Sequence, residues 1–526
     1  MTSILKYLNR ALLVLLLAAF AACSDNEGGN ESNGNGDDGN TETPADGDTY
    51  GYIKDTNGNP VEGVVVSDGY SCTATDAEGR YALTRNADAG FVFYSLPSAY
   101  KVSVDKTYKL PRFFARLQAG TARYDFTLEA LAAPEKRFDL ICIGDPQINE
   151  ASHAVRFKEE AGREIREYAA SAGVPCYGIT LGDHVNNKWT LFTNMVVALQ
   201  PEQTGVPVFA TIGNHDHEFP TAGEKAARAK YESYFGPVDY SFNRGDVHVV
   251  SMDNVIHSCK ASADYEGGFT AAQYAWLKQD LSFVPKDKMV ILCVHIPFRG
   301  GWGTNSAHAD ADKYYDEVLD LLSQYEYAAI MSAHTHSNIN YIHRKNGKEI
   351  FEHVTGTTCG AWWRSTVCTE GTPIGFGLYR IDGNRMEEWA YRSVRHDEQF
   401  QIRLYRASDT FVGGAKYRFK QTGADQIVAN IWNWDPSWTV NVYENDVLSG
   451  QMTRNSDIDA WTVAYHIGLL NNTDSYRKSS DHMFHYTLKN PAAAVRVEAI
   501  DRFGNKYEQT VFTDPAEHPG DFHADF

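Results

Sequence analysis

Short apolar runs alternate with amphipathic stretches through the central part of the chain, residues 136–392. The runs "DLICIG", "VPCYGITLG", "VPVFATIG", "MVILCVHIP" and "YAAIMSA" predict buried strands, because each is short and bounded by turn residues. Between the first two, "ASHAVRFKEEAGREIREYAASAG" predicts a helix with Ala161, Ile165, Tyr168 and Ala169 on one face. Strands that alternate with helices are typical of βαβ units, so we predict an α/β domain here.

The flanking regions have a different pattern, with short strands separated by tight turns. Turn signals at Asn57-Gly58 and Asp68-Gly69 predict a β domain over residues 49–131. The stretches "GNPVEGVVVSDG" and "TDAEGRY" resemble the regulatory-like, Ig-like β-sandwich found beside many secreted enzymes, which implies a role in spacing or docking. Beyond the central domain, "WTVNVYENDVLSGQM" and "AVRVEAIDRFGNKYEQTVF" predict strands and hairpins, so residues 395–526 are expected to form a mainly β domain.

The first 48 residues predict export rather than folded structure. Lys6 and Arg10 precede the apolar stretch "ALLVLLLAAF", which is too short for a comfortable membrane span, and small residues lead into Cys23. Residues 1–22 resemble a bacterial lipoprotein signal peptide, which implies that Cys23 is acylated. The acidic, Gly- and Asn-rich residues 23–48 then predict a flexible tether. We expect a protein anchored to the membrane by this lipid only, in the periplasm or on the outer-membrane surface; a plain secretory signal is the alternative.

Charge and cysteine usage narrow the possible functions. The chain of 526 residues carries a formal net charge of −20, which argues against binding to nucleic acid phosphates. Small anionic substrates remain possible if a bound metal ion supplies the positive charge that attracts them. Cys142 and Cys293 lie in apolar runs and are expected in the core. Cys359 and Cys368 are close enough in sequence to pair, but the sequence does not decide whether they do.

Five polar clusters each follow an apolar run: "GDPQ" at Gly144, "GDH" at Gly182, "GNHD" at Gly213, "VHIP" at Val294 and "AHTH" at Ala333. Each cluster alone could be a turn or a hydrogen-bonded core histidine, but five in order argue for one shared site. The carboxyl ends of parallel strands converge on one crevice. Carboxylate, amide and imidazole groups together suit Mn, Fe or Zn. The side chains expected to share a cavity are Asp145, Asp183, Asn214, His215, His295, His334 and His336.

This ordered set resembles the calcineurin-like metallophosphoesterase superfamily, and the flanking β domains extend the likeness to its exported bacterial three-domain members. The resemblance implies a central α/β β-sandwich domain that binds two divalent metal ions. It implies that Asp183 bridges the two ions and that His215 binds no metal but protonates the leaving group. By the same resemblance, Asp145, Gln147 and His336 complete the first metal site, and Asn214, His295 and His334 complete the second.

The chain departs from the superfamily pattern at two positions. Ala333 replaces the glycine of Gly-His-x-His, which affects only backbone freedom. Gln147 stands where histidine is usual. An amide oxygen can coordinate a hard cation but is a weaker donor to zinc than imidazole. Gln147 is therefore predicted to be the weakest of the ligands.

Other residues near these clusters are candidate substrate contacts. Trp362 and Trp363 in "TTCGAWWRS" could stack against a ring of the substrate or pack between the catalytic and C-terminal domains. Arg299 and Trp302 in "HIPFRGGWGTN" follow His295; Arg299 could pair with a phosphate or with a surface carboxylate. His184, next to Asp183, could reach the substrate or lie at the surface.

The leading hypothesis is hydrolysis of a small phosphoester by a metal-bridging hydroxide, with monoesters and diesters not distinguished. A nuclease is a weaker interpretation because the chain has no basic stripe. The contrasting hypothesis is a surface glycan-binding lipoprotein with a vestigial metal site. The nearly complete ligand set argues against it.

Overall fold

The computed structural model describes residues 47–299, 313–408, 418–473 and 476–514. The predicted signal peptide, Cys23, nearly all of the tether, and Trp302 therefore lie outside the described residues. Within the described ranges, no helix combines the length and the apolar character needed to cross a membrane.

The N-terminal region folds as two small sheets, with strand orders β4-β1-β7 and β3-β2-β5-β6. In the first strand, buried and half-buried residues alternate, as expected where one face of a strand packs on a core. Ile53 and Tyr81 belong to that core, which is continuous with the core of the central region. The strands are β1 (Thr49–Asp55), β2 (Val65–Ser67), β3 (Cys72–Ala74), β4 (Arg80–Leu83), β5 (Phe91–Tyr94), β6 (Phe114–Arg116) and β7 (Phe126–Leu128).

The central region contains two larger sheets and a hairpin. The first sheet has the order β10-β9-β8-β19-β20, the second the order β11-β12-β15-β16-β18-β17, and β13 pairs with β14. The strands are β8 (Arg137–Ile143), β9 (Cys176–Leu181), β10 (Val208–Thr211), β11 (Tyr240–Arg244), β12 (Val247–Ser251), β13 (Val255–His257), β14 (Tyr265–Gly267), β15 (Met289–Cys293), β16 (Tyr327–Ser332), β17 (Ile339–Lys345), β18 (Lys348–Val354), β19 (Gly375–Asp382) and β20 (Arg385–Ser393).

The helices of this region pack on the sheets as the alternating pattern predicted. The predicted helical face is present: Ala161, Ile165 and Tyr168 are buried and Ala169 is half-buried, although one wide turn at Lys158–Gly162 interrupts the helix. The helices are α1 (Ala151–Phe157), α2 (Arg163–Ser171), α3 (Phe192–Ala198), α4 (Pro201–Thr204), α5 (Glu224–Phe235), α6 (Ala271–Ser282) and α7 (Tyr315–Leu322).

Strand β8 shows why both faces of the first sheet are apolar. Phe138, Leu140 and Cys142 belong to the core that includes residues of the second sheet, whereas Ile141 and Ile143 belong to the core that includes residues of α1, α2 and α3. A strand covered on both faces is apolar throughout, which is why this stretch lacks alternation. The polar clusters therefore lie at the ends of two stacked sheets, whereas the alternating pattern alone had indicated one parallel sheet. Parallel strands β8, β9 and β10 carry three of the clusters, and parallel strands β15 and β16 carry two.

The C-terminal region contains two four-stranded sheets, β21-β22-β28-β25 and β24-β23-β29-β30, and the pair β26-β27. Leu404, Ile427, Val442 and Val497 lie in the core that the two four-stranded sheets share. The elements are β21 (Arg403–Arg406), β22 (Gln426–Asn430), β23 (Thr439–Glu444), β24 (Val447–Gln451), β25 (Thr453–Arg454), β26 (Asp457–Ile458), α8 (Ala460–Thr462), β27 (Ser479–Ser480), β28 (Met483–Thr487), β29 (Val495–Ile500) and β30 (Lys506–Gln509).

Candidate metal centre

The predicted ligands lie in the loops that directly follow β8, β9, β10, β15 and β16. The backbone of these loops is unusual. Positive φ angles occur at Asp145 (37°), Gln147 (38°), Asp183 (52°), His334 (66°) and His336 (55°). A left-handed conformation costs a residue with a side chain on the order of 1–3 kcal/mol, and such residues cluster at functional sites. The strain here falls on five of the seven predicted ligands.

Two glycines allow the loops to approach closely. A Cβ on Gly182 would lie 2.4 Å from His295 Nδ1, and one on Gly213 would lie 2.3 Å from Asp183 Oδ1. Both distances are shorter than any real contact of a carbon atom. Glycine in "GDH" and "GNHD" is therefore required by the packing of one loop against the next.

Four ligand atoms surround one point near His295. His295 Nε2 lies 3.4 Å from Asp183 Oδ1, 2.9 Å from Asn214 Oδ1 and 3.0 Å from His334 Nδ1. Two ligands of one tetrahedral zinc ion, each about 2.1 Å from it, are about 3.4 Å apart. His295 Nδ1 donates to the carbonyl of Leu181 at 2.8 Å, so its Nε2 lone pair faces this point. These atoms fit a single cation.

A second set of atoms lies around Asp145. Asp145 Oδ1 is 3.7 Å from His336 Nε2. Three buried atoms here have no hydrogen-bond partner: Asp145 Oδ1, Gln147 Oε1 and His336 Nδ1. Leaving a buried polar atom unpaired costs about 1–3 kcal/mol, and a bound cation removes that cost by accepting electron pairs from the oxygens. The residues present therefore fit a second cation.

Gln147 is held against the carboxylate between the two sets. Its backbone N donates to the Asp183 carbonyl at 2.7 Å, and its Nε2 donates to Asp183 Oδ2 at 3.2 Å. The amide nitrogen is thereby committed, and the oxygen is left without a partner. This orientation suits a ligand oxygen.

The electrostatics of the buried acids also favour a cation. Burial, together with the Asp183 charge, raises the pKa of Asp145 to about 8, although His295 opposes the rise. Burial also works against charging Asp183, but His295 and His215 hold the pKa of Asp183 below its usual range. Because the charge of Asp183 opposes ionisation of Asp145, a positive charge bound between them would allow both carboxylates to be charged.

His215 is placed differently from the ligands. Its side chain is 23% exposed, and its Nε2 lies 4.0 Å from Asp183 Oδ2. The backbone N of His215 donates to Asp183 Oδ1 at 2.9 Å, and Nδ1 contacts Asn187 Oδ1 at 2.9 Å. Because an amide oxygen only accepts, Nδ1 carries a proton and the ring orientation is set by Asn187. Sequence reasoning missed Asn187, whose only signal is its closeness to Asp183 in "GDHVNN".

His184 neither faces the substrate nor lies at the surface, so both sequence alternatives for it are wrong. The side chain is fully buried; Nδ1 contacts Asp216 Oδ2 at 2.9 Å and Nε2 contacts Thr180 Oγ1 at 2.7 Å. Asp216 also accepts from the backbone N of His184 and Gly213. This carboxylate joins the loops after β9 and β10 and thereby aligns Asp183 with Asn214.

The two tryptophans have separate positions. Trp363 is buried, and its Nε1 donates to the carbonyl of Pro146 at 2.8 Å, between Asp145 and Gln147. Its ring stacks on His153 with centroids 5.3 Å apart. Trp363 thus packs within the catalytic region, where it supports the "GDPQ" loop. Trp362 is half-buried, and its ring centroid lies 4.8 Å from that of His336.

The C-terminal region reaches the same loops. The ring of Tyr476 meets that of Trp362 edge-on with centroids 5.4 Å apart, and Lys478 Nζ donates to the carbonyl of Thr335 at 3.2 Å. Thr335 lies between His334 and His336. Sequence reasoning missed both Tyr476 and Lys478, because nothing in the pattern relates them to the strand ends.

Arg299 is exposed and lies next to Tyr341. Its guanidinium is 5.5 Å from the ring centroid of Tyr341, and it lines a cavity of about 260 Å³ with Trp434 and Arg454. All seven described cysteines are unpaired, which answers the open question about Cys359 and Cys368.

Comparison with models of known protein families gives matches to three segments of the chain. Residues 48–131 match the model for the N terminal of calcineurin-like phosphoesterase, residues 124–338 the model for calcineurin-like phosphoesterase, and residues 352–507 the model for its C terminal. Purple acid phosphatase 23 of Arabidopsis thaliana is 26% identical over 181 residues, which is 31% of this chain and 36% of the relative. Purple acid phosphatase 18 of the same plant is 26% identical over 182 residues, 32% of this chain and 38% of the relative. The matches therefore span little more than a third of these relatives.

Two solved structures match part of the chain at low identity. The 5'-nucleotidase precursor from Thermus thermophilus has 10% identity and a TM-score of 0.30, over 49% of this chain and 54% of that chain. The 5'-nucleotidase from Candida albicans has 12% identity and a TM-score of 0.30, over 50% of this chain and 52% of that chain.

Proposed function

The chain belongs to the calcineurin-like phosphoesterases, and from this premise we propose that it hydrolyses small phosphoesters at a centre of two divalent metal ions. Asp145, Gln147 and His336 would hold one ion, with Asp183 shared between the two. When bound, the ions make a coordinated water more acidic and neutralise the charge on phosphoryl oxygens. Asn214, His295 and His334 would hold the other ion.

The protein's own proton donor in this proposal is His215. Its Nδ1 proton is committed to Asn187, so the group free to act is Nε2, on the side of Asp183. A proton on Nε2 would pass to the leaving oxygen of the ester, yielding the free alcohol and a neutral imidazole. The partial exposure of the ring allows a substrate to reach it.

We propose that the substrate lies against Trp362 and Lys478. Trp362 covers His336 and is only half-buried, so its free face can stack on an aromatic or sugar part of the ester. Lys478 places its amino group beside Thr335, between two predicted ligands; burial lowers the pKa of Lys478 to about 7, and a phosphate oxygen close by would favour its charged form. Arg299 and Trp302 are also proposed to contact the substrate, on the sole basis that they follow His295 in the sequence.

The finer features of the layout are also proposals. We infer that residues 1–22 direct export, that Cys23 is acylated, and that the mature protein faces the periplasm or the cell exterior. The support is the sequence pattern "ALLVLLLAAF" before Cys23. The boundaries 49–131, 136–392 and 395–526, and the Ig-like character of the first of these domains, are proposed on the same basis. Labelling with a radioactive fatty acid would test the anchor: label on the wild type and none on Cys23→Ser is expected.

The observation that carries the proposed function is the set of three buried, unpartnered ligand atoms beside Asp183. The test is a panel of phosphomonoesters, phosphodiesters and nucleotides, assayed with metal-stripped protein after addition of Mn²⁺, Fe²⁺ or Zn²⁺. Hydrolysis that depends on added metal and disappears in Asp183→Ala is expected. A protein that takes up two equivalents of metal but hydrolyses no member of the panel would overturn the proposal.

A further inference from the structure

A second group of ligand side chains lies outside the catalytic centre. His217, Glu224 and Asp253 each offer a nitrogen or oxygen, and these three atoms all lie within 4.8 Å of one another. His217 Nε2 is 3.1 Å from Asp253 Oδ2 and 3.9 Å from Glu224 Oε2. The two distances bracket the separation of about 3.4 Å expected for two ligands of one tetrahedral ion.

Each of the three side chains is anchored through its other polar atom. His217 Nδ1 donates to the carbonyl of Gly213 at 2.9 Å, which directs Nε2 toward the two carboxylates. Asp253 Oδ1 accepts from the backbone N of Val255 at 3.0 Å, and Glu224 Oε1 accepts from the backbone N of His257 at 2.6 Å. In each carboxylate one oxygen is committed to the backbone and the other faces His217. Fixed orientation of this kind is characteristic of metal ligands.

The same arrangement occurs in the catalytic centre. There, His295 Nδ1 donates to a backbone carbonyl at 2.8 Å, and its Nε2 faces a carboxylate at 3.4 Å. His217 repeats that pattern with a carbonyl at 2.9 Å and a carboxylate at 3.1 Å.

The cluster adjoins a cavity that gives access to ions. Glu224 and Asp253 line a cavity of about 370 Å³, together with Asp68 and Asp88 of the N-terminal region and Asp239. Burial and the charge of Asp253 raise the pKa of Glu224 to about 7, and burial and Asp253 raise that of Asp239 to about 7. Six acidic residues line the cavity but only two basic ones, Lys225 and Arg228, so its carboxylates are incompletely balanced by positive charge. A cavity of this size has room for the waters that complete a coordination sphere.

We propose that His217, Glu224 and Asp253 bind a third divalent cation, of the zinc or manganese class, with none of the seven catalytic ligands taking part. One imidazole and two carboxylates suit these metals. The ion would join three segments: the loop after β10, the start of α5 and the segment after β12. It would thereby brace the loop that carries Asn214 and His215. The alternative is a metal-free ion pair between a protonated His217 and Asp253.

The test is metal content after saturation with Zn²⁺ or Mn²⁺ and removal of excess ion by gel filtration, with the full-length protein. Wild type is expected to retain three equivalents and Glu224→Gln two. Asp88→Asn is the matched control, since Asp88 lines the same cavity with a side chain that is 73% exposed, and it should retain three. Two equivalents in wild type would overturn the proposal and favour the ion pair. Three equivalents in Glu224→Gln would overturn it as well, because the third ion would then lie elsewhere.

A second measurement separates this site from the catalytic one. In an Asp183→Ala background, one equivalent should remain, and added Zn²⁺ should still raise the melting temperature, because a ligand that binds only the folded state stabilises it. Adding Glu224→Gln should abolish both effects. If the double variant keeps its equivalent, the ion lies elsewhere and the proposal fails. Neither measurement depends on hydrolysis, so the outcome is distinct from that of the proposed function.

Discussion

The two halves of the proposed metal centre differ in how their ligand atoms are supported. Around His295, the ligand atoms lie 2.9–3.4 Å apart, and the histidine is anchored to the Leu181 carbonyl. His334 is supported as well, since its Nε2 lies 3.3 Å from the hydroxyl of Tyr265. Around Asp145, by contrast, the distance to His336 is 3.7 Å, and three atoms have no partner.

The difference shows two ways of orienting a ligand. The half around His295 is held by hydrogen bonds to the ligands themselves. In the half around Asp145, the carboxylate accepts one hydrogen bond, from the backbone N of His334. The rest of the support comes through its loop, by the bond from Trp363 to Pro146, and through packing of Trp362 on His336. We therefore expect the half around Asp145 to bind its ion more weakly and to be the more sensitive to changes in the tryptophan loop.

The largest effect is expected when both halves of the centre lose their ions together. Asp183→Ala removes the carboxylate that both halves share, so both ions should be lost from the catalytic centre and hydrolysis should fall below detection. Metal analysis beside an activity assay checks this outcome. An active variant that retains both catalytic ions would show that Asp183 does not hold them.

His215→Ala should leave both halves loaded yet slow turnover by roughly 10²–10⁴-fold, the usual contribution of a general acid. The loss should be smaller for a nitrophenyl ester, whose leaving group needs no proton, than for an alkyl ester. The two substrates are matched controls for one another. Equal losses on both would exclude His215 as the proton donor.

Trp363→Phe tests the support of the weaker half alone. The substitution keeps an aromatic side chain but removes the indole N–H that donates to the carbonyl of Pro146. Loss of a hydrogen bond that supports a metal-binding loop typically weakens metal binding by about 10–100-fold. The ion held by Asp145 should be affected and the ion held by His295 should not. Stepwise metal titration of stripped protein distinguishes the two. Trp389→Phe, a buried tryptophan whose ring contacts Phe351 and Phe503, is the control; an equal loss in the control would refute the prediction.

The smallest effects are expected at Gln147. Gln147→Ala should raise the metal concentration needed for activity, by about tenfold or less, without lowering the rate at saturation, since it removes one neutral ligand. Gln147→His should tighten the half around Asp145 and shift its preference toward zinc, because imidazole is the better donor. Activity is followed during metal titration of wild type and both variants. Identical curves for all three would mean that Gln147 is not a ligand.

Local pattern by itself determined much of this protein. Apolar runs marked the strands, helical spacing marked the face formed by Ala161, Ile165 and Tyr168, and the order of the polar clusters predicted a group of residues that the structure does bring together. These features could be predicted because a buried strand must be apolar along its length and must end in a turn. Residues just after parallel neighbouring strands then lie at one edge whatever the rest of the fold does.

Only the tertiary structure decided which distant segments support those residues. The antiparallel strand β19 pairs with β8 from more than 200 residues away, and Trp363 reaches Pro146 across 217 positions. The buried His184 is hydrogen-bonded to Asp216, and the His217 cluster draws on three separate segments of the chain. Periodicity states which face of an element is buried but not what covers it. Hydrogen bonds between distant residues depend on that covering, so they appear only when the chain is folded.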